Sequence, residues 1–250
     1  MTVSTFAQSL DAAVRADPSR PLVTFYDDAT GERVELSVVT YANWVSKTAG
    51  LLQDELDLDR GGLLLVDLPP HWLGAVWLGG AWTAGLAVTT DTALAGEADL
   101  VVCGPSGVDH YAASADERPV VALSLRPLGG RFVDALPRGV LDYSAVVLGQ
   151  PDSFLAYDPP GADDVAWRGV DGVLTQSGLL SGAAADPATP VGGRLLTDVN
   201  PCSPTGVRAL TSALSGGGGV VWVANPDPGS WERRYDEERA TAQLRTALPS

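Results

Sequence analysis

The chain has 250 residues, 45% of them hydrophobic, enough to bury a core as one large α/β domain or two coupled lobes without disulfide staples. A formal net charge of -15 argues against nucleic acid and anionic membrane as partners, because phosphates draw basic surfaces; the acids are scattered and read as a solubility property. Cys103 and Cys202 lie in separate apolar segments without metal-ligand spacing, as in a reducing compartment, and His71 and His110 stand too far apart in sequence to suggest a site.

The first residues carry no basic region ahead of an apolar run, and no stretch reaches the ~18 apolar residues of a membrane span, so the expectation is a soluble, cytoplasmic protein. Thr5 and Gln8 fit a capping box, and Phe6, Leu10, Ala13 and Val14 recur at helical spacing up to Pro18. Residues 22–26 and 32–36 are β-rich runs around a turn that ends in Gly31, a hairpin signal. Ser37 can cap the next helix, whose Val38, Tyr41, Val45, Leu52 and Leu56 form one stripe. Lys47, the only lysine, lies off that stripe and reads as a solvated side chain.

Residues 63–68 form a continuous apolar run closed by Pro69 and Pro70, which suits a strand of a parallel sheet buried on both faces. Residues 71–84 follow as a helix apolar on every side; its Trp72, Trp77 and Trp82 point in different directions and read as core. Three short strands are predicted over 85–89, 99–103 and 119–124. Strands alternating with helices give an α/β class, layered sheets with helices on both faces. Residues 152–164, rich in Asp, Pro and Gly, read as a linker between a front lobe (1–151) and a back lobe (165–250), and residues 181–193 as a second small-residue segment. A helix over 207–214, a flexible glycine turn at 216–219, a buried strand over 220–224 and a polar helix over 230–248 complete the chain.

The order of these elements carries a resemblance. The hairpin, the helix containing Ala42 and Asn43, the run from Gly61 to Pro69, the Trp-bearing helix and the segment 84–88 together resemble the N-terminal part of the AMP-binding, adenylate-forming superfamily of acyl-CoA synthetases, peptide-synthetase adenylation domains and luciferases. The similarity runs on through residues 174–180 to Asn225 and implies the fold of that N-terminal region, truncated. The chain also resembles short, degenerate AMP-binding-like proteins of actinobacteria.

That resemblance also marks what is missing. Where the superfamily has a Ser/Thr/Gly-rich phosphate loop ending in Pro-Lys-Gly, only Arg168 to Asp171 remain between residues resembling its two flanks. Asn200 to Gly206 resembles the superfamily's Pro-x-Phe-His-x-x-Gly segment, with Gly206 retained, Cys202 at the aromatic position and Ser203 at the histidine position. Cys202 and Ser203 could suggest a nucleophile, but either needs a positioned base; Ser203 followed by Pro204 also reads as a helix cap. The superfamily's adenine- and ribose-binding elements and its C-terminal lysine would lie beyond Ser250. The implied function is a degenerate, non-catalytic interaction or regulatory module. The alternatives are an acyl- or nucleoside-binding protein without turnover and an enzyme completed by a partner chain. No catalytic residue, cofactor or metal ligand is assigned. Arg168, Thr175, Cys202, Ser203 and Gly206 are the candidates for a residual pocket, and self-association or a protein partner is expected, since truncating the scaffold exposes an apolar edge.

Overall fold

The computed structural model of the protein describes residues 4–170, 172–183 and 190–246. In chain order its elements begin with α1 (Phe6–Ala16), β1 (Pro21–Asp27), β2 (Glu32–Ser37), α2 (Val38–Gly50), β3 (Leu63–Asp67), α3 (Trp72–Ala84), β4 (Ala87–Thr89) and β5 (Leu100–Cys103). The middle of the chain supplies α4 (Val108–Ala112), β6 (Val120–Ala122), β7 (Val140–Asp142), α5 (Tyr143–Val146), β8 (Val165–Gly169) and β9 (Gly172–Thr175). It closes with α6 (Gln176–Ala183), β10 (Arg194–Thr197), α7 (Pro204–Gly216), β11 (Gly219–Ala224), α8 (Trp231–Glu237) and β12 (Ala242–Leu244).

The fold is α/β, two mostly parallel sheets flanked by helices, divided between two compact units. One unit comprises Met1–Ala42, Pro70–Ala75 and Ser177–Ser250, the other Asn43–Pro69 and Val76–Gln176. The units interleave along the chain, a partition that differs from a front and a back lobe joined at 152–164. Strand pairing is the reason: β8 and β9 join the sheet of β3 to β7, whereas β1 and β2 join β10 to β12.

In the first unit the strand order is β12-β10-β11-β1-β2, parallel except for β2. β11 is buried at every position, as a continuous apolar run in a parallel sheet should be. The glycines before it form no flexible turn. Gly217 caps α7 at φ +72°, and a Cβ on Gly218 or Gly219 would lie 2.3 Å from Gly193 O or 2.5 Å from Pro21 O. The predicted polar helix over 230–248 also differs: α8 stops at Glu237, Arg239 takes φ +51°, and β12 pairs parallel with β10. Local periodicity loses there to the sheet edge and to Glu238, whose carboxylate accepts hydrogen bonds from Tyr26, Arg33 and Arg194. Asp28 pairs with Arg234 in the same unit, and the Arg234 guanidinium lies 4.4 Å from the Tyr26 ring centroid.

The second unit orders its strands β7-β6-β5-β3-β4-β8-β9, all parallel except β9. Trp77 and Trp82 of α3 are fully buried, as an all-round apolar helix requires, and Trp77 lies 5.1 Å from the Tyr143 ring. Lys47 is not the solvated side chain its position implied. Its ammonium donates to Gln150 O and pairs with Asp152 at 3.0 Å, so it holds down the start of residues 152–164. Gln53 and Arg60 fix the rest of that segment, which is therefore a strap without regular secondary structure and not a free linker. Within the second small-residue segment, residues 184–189 lie outside the described residues.

The ion network of the first unit predicts an acid dependence. Burial alone would raise the Glu238 carboxyl, yet hydrogen bonds from Tyr26 and Arg33 and the charge of Arg194 hold it below the usual carboxylate range. Asp28, likewise desolvated, is held down by Arg234 and the Asp227 amide. A depressed folded pKa contributes stability that is complete above the unfolded value of about 4 and is lost as pH falls through the folded one. The urea midpoint should therefore fall as pH drops below about 4, and Glu238→Gln and Asp28→Asn should each flatten that fall; an acid slope untouched by both substitutions would refute the assignment.

Candidate functional site

The candidate residues divide between the two units. Arg168 and Thr175 belong to one and Cys202, Ser203 and Gly206 to the other.

In the second unit the stretch read from the sequence as a phosphate-loop remnant lies in an antiparallel hairpin. Val165 pairs with Thr175, Trp167 with Leu174, Arg168 with Val173 and Gly169 with Gly172, so the chain reverses between Gly169 and Gly172. Residue 171, the last of the four-residue remnant, lies outside the described residues. Trp167 is buried, 3% exposed, whereas Val173 on the outer strand is 59% exposed. Trp82 Nε1 donates to Ala166 O at 2.8 Å, Gln176 Nε2 donates to Trp82 O at 2.9 Å, and Arg60 grips Asp164 through Nε and Nη2 at 2.7 and 2.9 Å. The base of the hairpin is thus fixed while its end projects. Arg168 Nη2 pairs with Glu97 at 3.0 Å on the surface, and Val170 beyond it is 81% exposed. Backbone N–H groups engaged in a ladder cannot converge on one anion, which is what a phosphate nest requires.

In the first unit Asn200 to Gly206 turns into α7. Ser203 is the N-cap: its Oγ accepts from Gly206 N at 3.0 Å and donates to Asn200 O at 2.7 Å, with Pro204 in the first turn. That hydroxyl therefore has both its donor and an acceptor role filled by the backbone. Gly206 is demanded by packing, since a Cβ there would fall 2.2 Å from Asn200 O and 2.5 Å from Pro201 O. Cys202 is buried against α3, where a Cβ on Gly74 would come within 2.7 Å of its Sγ. Burial pushes the thiol up to about 12, so the thiolate fraction at pH 7 is on the order of 10⁻⁵.

The same unit holds a residue that sequence spacing did not single out. His71 is buried, packs 4.9 Å from the Phe25 ring, and its Nδ1 accepts from Leu73 N at 3.2 Å. That acceptor role puts the proton on Nε2, which lacks a hydrogen-bond partner, with Glu32 Oε2 3.9 Å away. Burial lowers this imidazole to about 4 against the pull of Asp27, so it stays neutral near pH 7. Nothing in its sequence neighbourhood signals this; the packing of β1 and β2 against it does. Among the described residues no three His, Cys, Asp or Glu side chains gather as a metal would need, and no helix is long and apolar enough to cross a membrane.

No family model matches the chain. It is 38% identical over 247 residues to a TIGR03089 family protein of Mycobacterium tuberculosis (strain ATCC 25618 / H37Rv), a match covering 94% of this chain and 96% of that protein. The chain belongs to the TIGR03089 family. Among solved structures it superposes on an acyl-CoA synthetase of Brucella canis with a TM-score of 0.78 at 15% identity, over 97% of this chain and 47% of that one. Coronafacic acid ligase from Pectobacterium brasiliense gives 0.75 at 13% identity, over 97% and 50%, and the N-terminal domain of FACL13 from Mycobacterium tuberculosis 0.71 at 14%, over 95% and 62%. This TIGR03089 protein thus has the fold of the N-terminal half of AMP-binding, acyl-CoA-synthetase-like ligases, and spans about half the length of the full-length ones. At these identities the likeness is one of fold.

The thiol geometry yields a direct expectation. In the native protein neither Cys202 nor Cys103, also pushed up to about 12 by burial, should react with a disulfide reagent at pH 8, and both should react once denaturant opens the core. Rapid stoichiometric labelling of native Cys202 would instead mark it as an accessible nucleophile.

Proposed function

We propose that this protein is a non-catalytic derivative of the AMP-binding ligase fold that acts as an interaction or regulatory module. The observation that carries the reading is the β8–β9 ladder, which takes Arg168 and Gly169 of the stretch resembling the phosphate-loop region into hydrogen-bonded strand. Transition-state charge on a phosphoryl or acyl centre needs preorganised donors and cations. The hairpin leaves Arg168, already paired with Glu97, as the one cation of the remnant. The chemistry of the other unit's candidates agrees: Ser203 serves the α7 cap and Cys202 is a buried neutral thiol. Pyrophosphate exchange across a panel of carboxylic acids should stay at background, and calorimetry with ATP–Mg should show no saturable heat. Exchange above background that Arg168→Ala abolishes would return the protein to the enzymes, alone or completed by a partner chain.

The interaction half of the reading rests on the sheet edge. β9 ends the seven-stranded order with its Gly-Val-Leu-Thr sequence free of charge and proline, the features that usually blunt an exposed edge. Val170, Val173 and Leu174 stand exposed there. A strand of this kind pairs readily with its own copy, giving a two-fold antiparallel dimer. Analytical ultracentrifugation should find a concentration-dependent dimer that Val173→Lys shifts to monomer, whereas a wild-type monomer at every concentration would remove self-association through this edge.

A further inference from the structure

Within the second unit, residues Leu51–Glu55 continue α2 as a π-helical turn, closed by Leu56 N on Leu51 O at 3.0 Å. Such turns are rare and concentrate at functional positions. This one sets three side chains against the chain returning at residues 150–157. Gln53 holds Leu155 O at 3.3 Å and Tyr157 N at 3.0 Å, Asp54 hydrogen-bonds the Tyr157 hydroxyl, and Glu55 accepts from Gln150 Nε2 at 2.7 Å. Lys47 on Asp152 and Arg60 on Asp158 pin the two ends.

The clamped stretch has the pattern of an unpaired strand. Phe154 and Ala156 are half-buried, while Leu155 and Tyr157 alternate with them at 82% and 81% exposure. A C=O at one residue and an N–H two residues on lie along the same edge of a strand, and the Gln53 amide binds both. The N–H and C=O groups of Phe154 and Ala156 belong to the other edge, and among the described residues none of them has a hydrogen-bond partner. A clamp that holds two large apolar side chains in water lowers the ordering cost of any contact they make, and tyrosine is a favoured anchor of such contacts.

We propose that residues 153–158 are a docking strand for another protein, whose extended, lysine- or arginine-bearing segment pairs with the free edge at Phe154 and Ala156 and covers Leu155 and Tyr157. Charge sets the sign of that partner. Lys47 and Arg60 are taken up by Asp152, Asp158 and Asp164, whereas Asp54, Glu55 and Asp163 have no ion-pair partner among the described residues, so the segment and its clamp are net negative. The β9 edge contributes none of these residues, and the contact stands whether or not the protein self-associates or turns over a substrate.

Three acetylated, amidated hexapeptides serve as probes of the intact protein, read by calorimetry and by amide chemical shifts: alternating Lys-Val, alternating Glu-Val, and the Lys-Val sequence with every backbone nitrogen methylated. The Lys-Val peptide should bind saturably and shift the Phe154 and Ala156 amides, with the other two at least ~10-fold weaker, through charge repulsion in one case and lost backbone hydrogen bonds in the other. Leu155→Ser combined with Tyr157→Ser, both at exposed positions, should weaken it by a similar factor without lowering the melting temperature, and Gln53→Ala should weaken it with both side chains in place. The proposal is overturned if the Lys-Val peptide does not saturate or its shifts map outside residues 153–158. It is equally overturned if binding survives methylation or the paired serine substitutions, which would mark general attraction to an acidic protein.

Discussion

The antiparallel ladder between β8 and β9 sets what the surrounding residues can do. It closes with Gly169 opposite Gly172, so the chain turns back on itself with no slack between strand and strand. A phosphate-gripping loop works by leaving successive N–H groups unpaired and pointing at one place; a ladder works by pairing them. A residue paired in the ladder cannot serve both. The hairpin is also anchored at its base from three sides, by Trp82 on Ala166 O, by Gln176 on Trp82 O and by Arg60 on Asp164, so its geometry is fixed by the core it grows from.

The buried titratable groups agree with that limit. Sites that perform acid–base or nucleophilic chemistry hold pKa values near the working pH. Here burial drives each such group into its neutral form: Cys103 and Cys202 up to about 12, His71 down to about 4, and the Tyr41 and Tyr143 hydroxyls well above their ordinary range. Tyr41 donates to Ala75 O at 2.8 Å and Tyr143 meets Thr48 at 2.7 Å, contacts that satisfy buried hydroxyls. The charges that do persist, around Glu238 and Asp28, form closed ion pairs with their arginines.

What could be read in the sequence follows the same physics. β3, α3 and β11 were legible because a strand or helix buried on all sides must be apolar throughout, and the β1–β2 hairpin because its turn needs a residue like Gly31, found at φ +76°. The Ser203 cap was legible because Ser-Pro before a helical run has one plain local meaning. β10 and β12 were not, since short strands of mixed polarity take their state from the neighbours they pair with. Lys47 was misread because helical spacing shows which face a side chain leaves from and not that Gln150 and Asp152 return to meet it. The interleaving of the two units was equally hidden, because composition along the chain carries no record of which strands pair.

The two departures from the superfamily pattern differ in how the fold holds them. Lengthening the hairpin end by several residues would add only about 1–2 kcal/mol of closure entropy, because that term grows with the logarithm of loop length. Val170 at that end is exposed, so its side chain makes no packing that an insertion would break. Cys202 is different. Its sulfur already lies 2.7 Å from where a Cβ on Gly74 would stand, and a ring at that position would have to displace α3 from a close-packed core. Reinstating the aromatic residue therefore demands compensating changes in the helix it faces, whereas reinstating a loop does not.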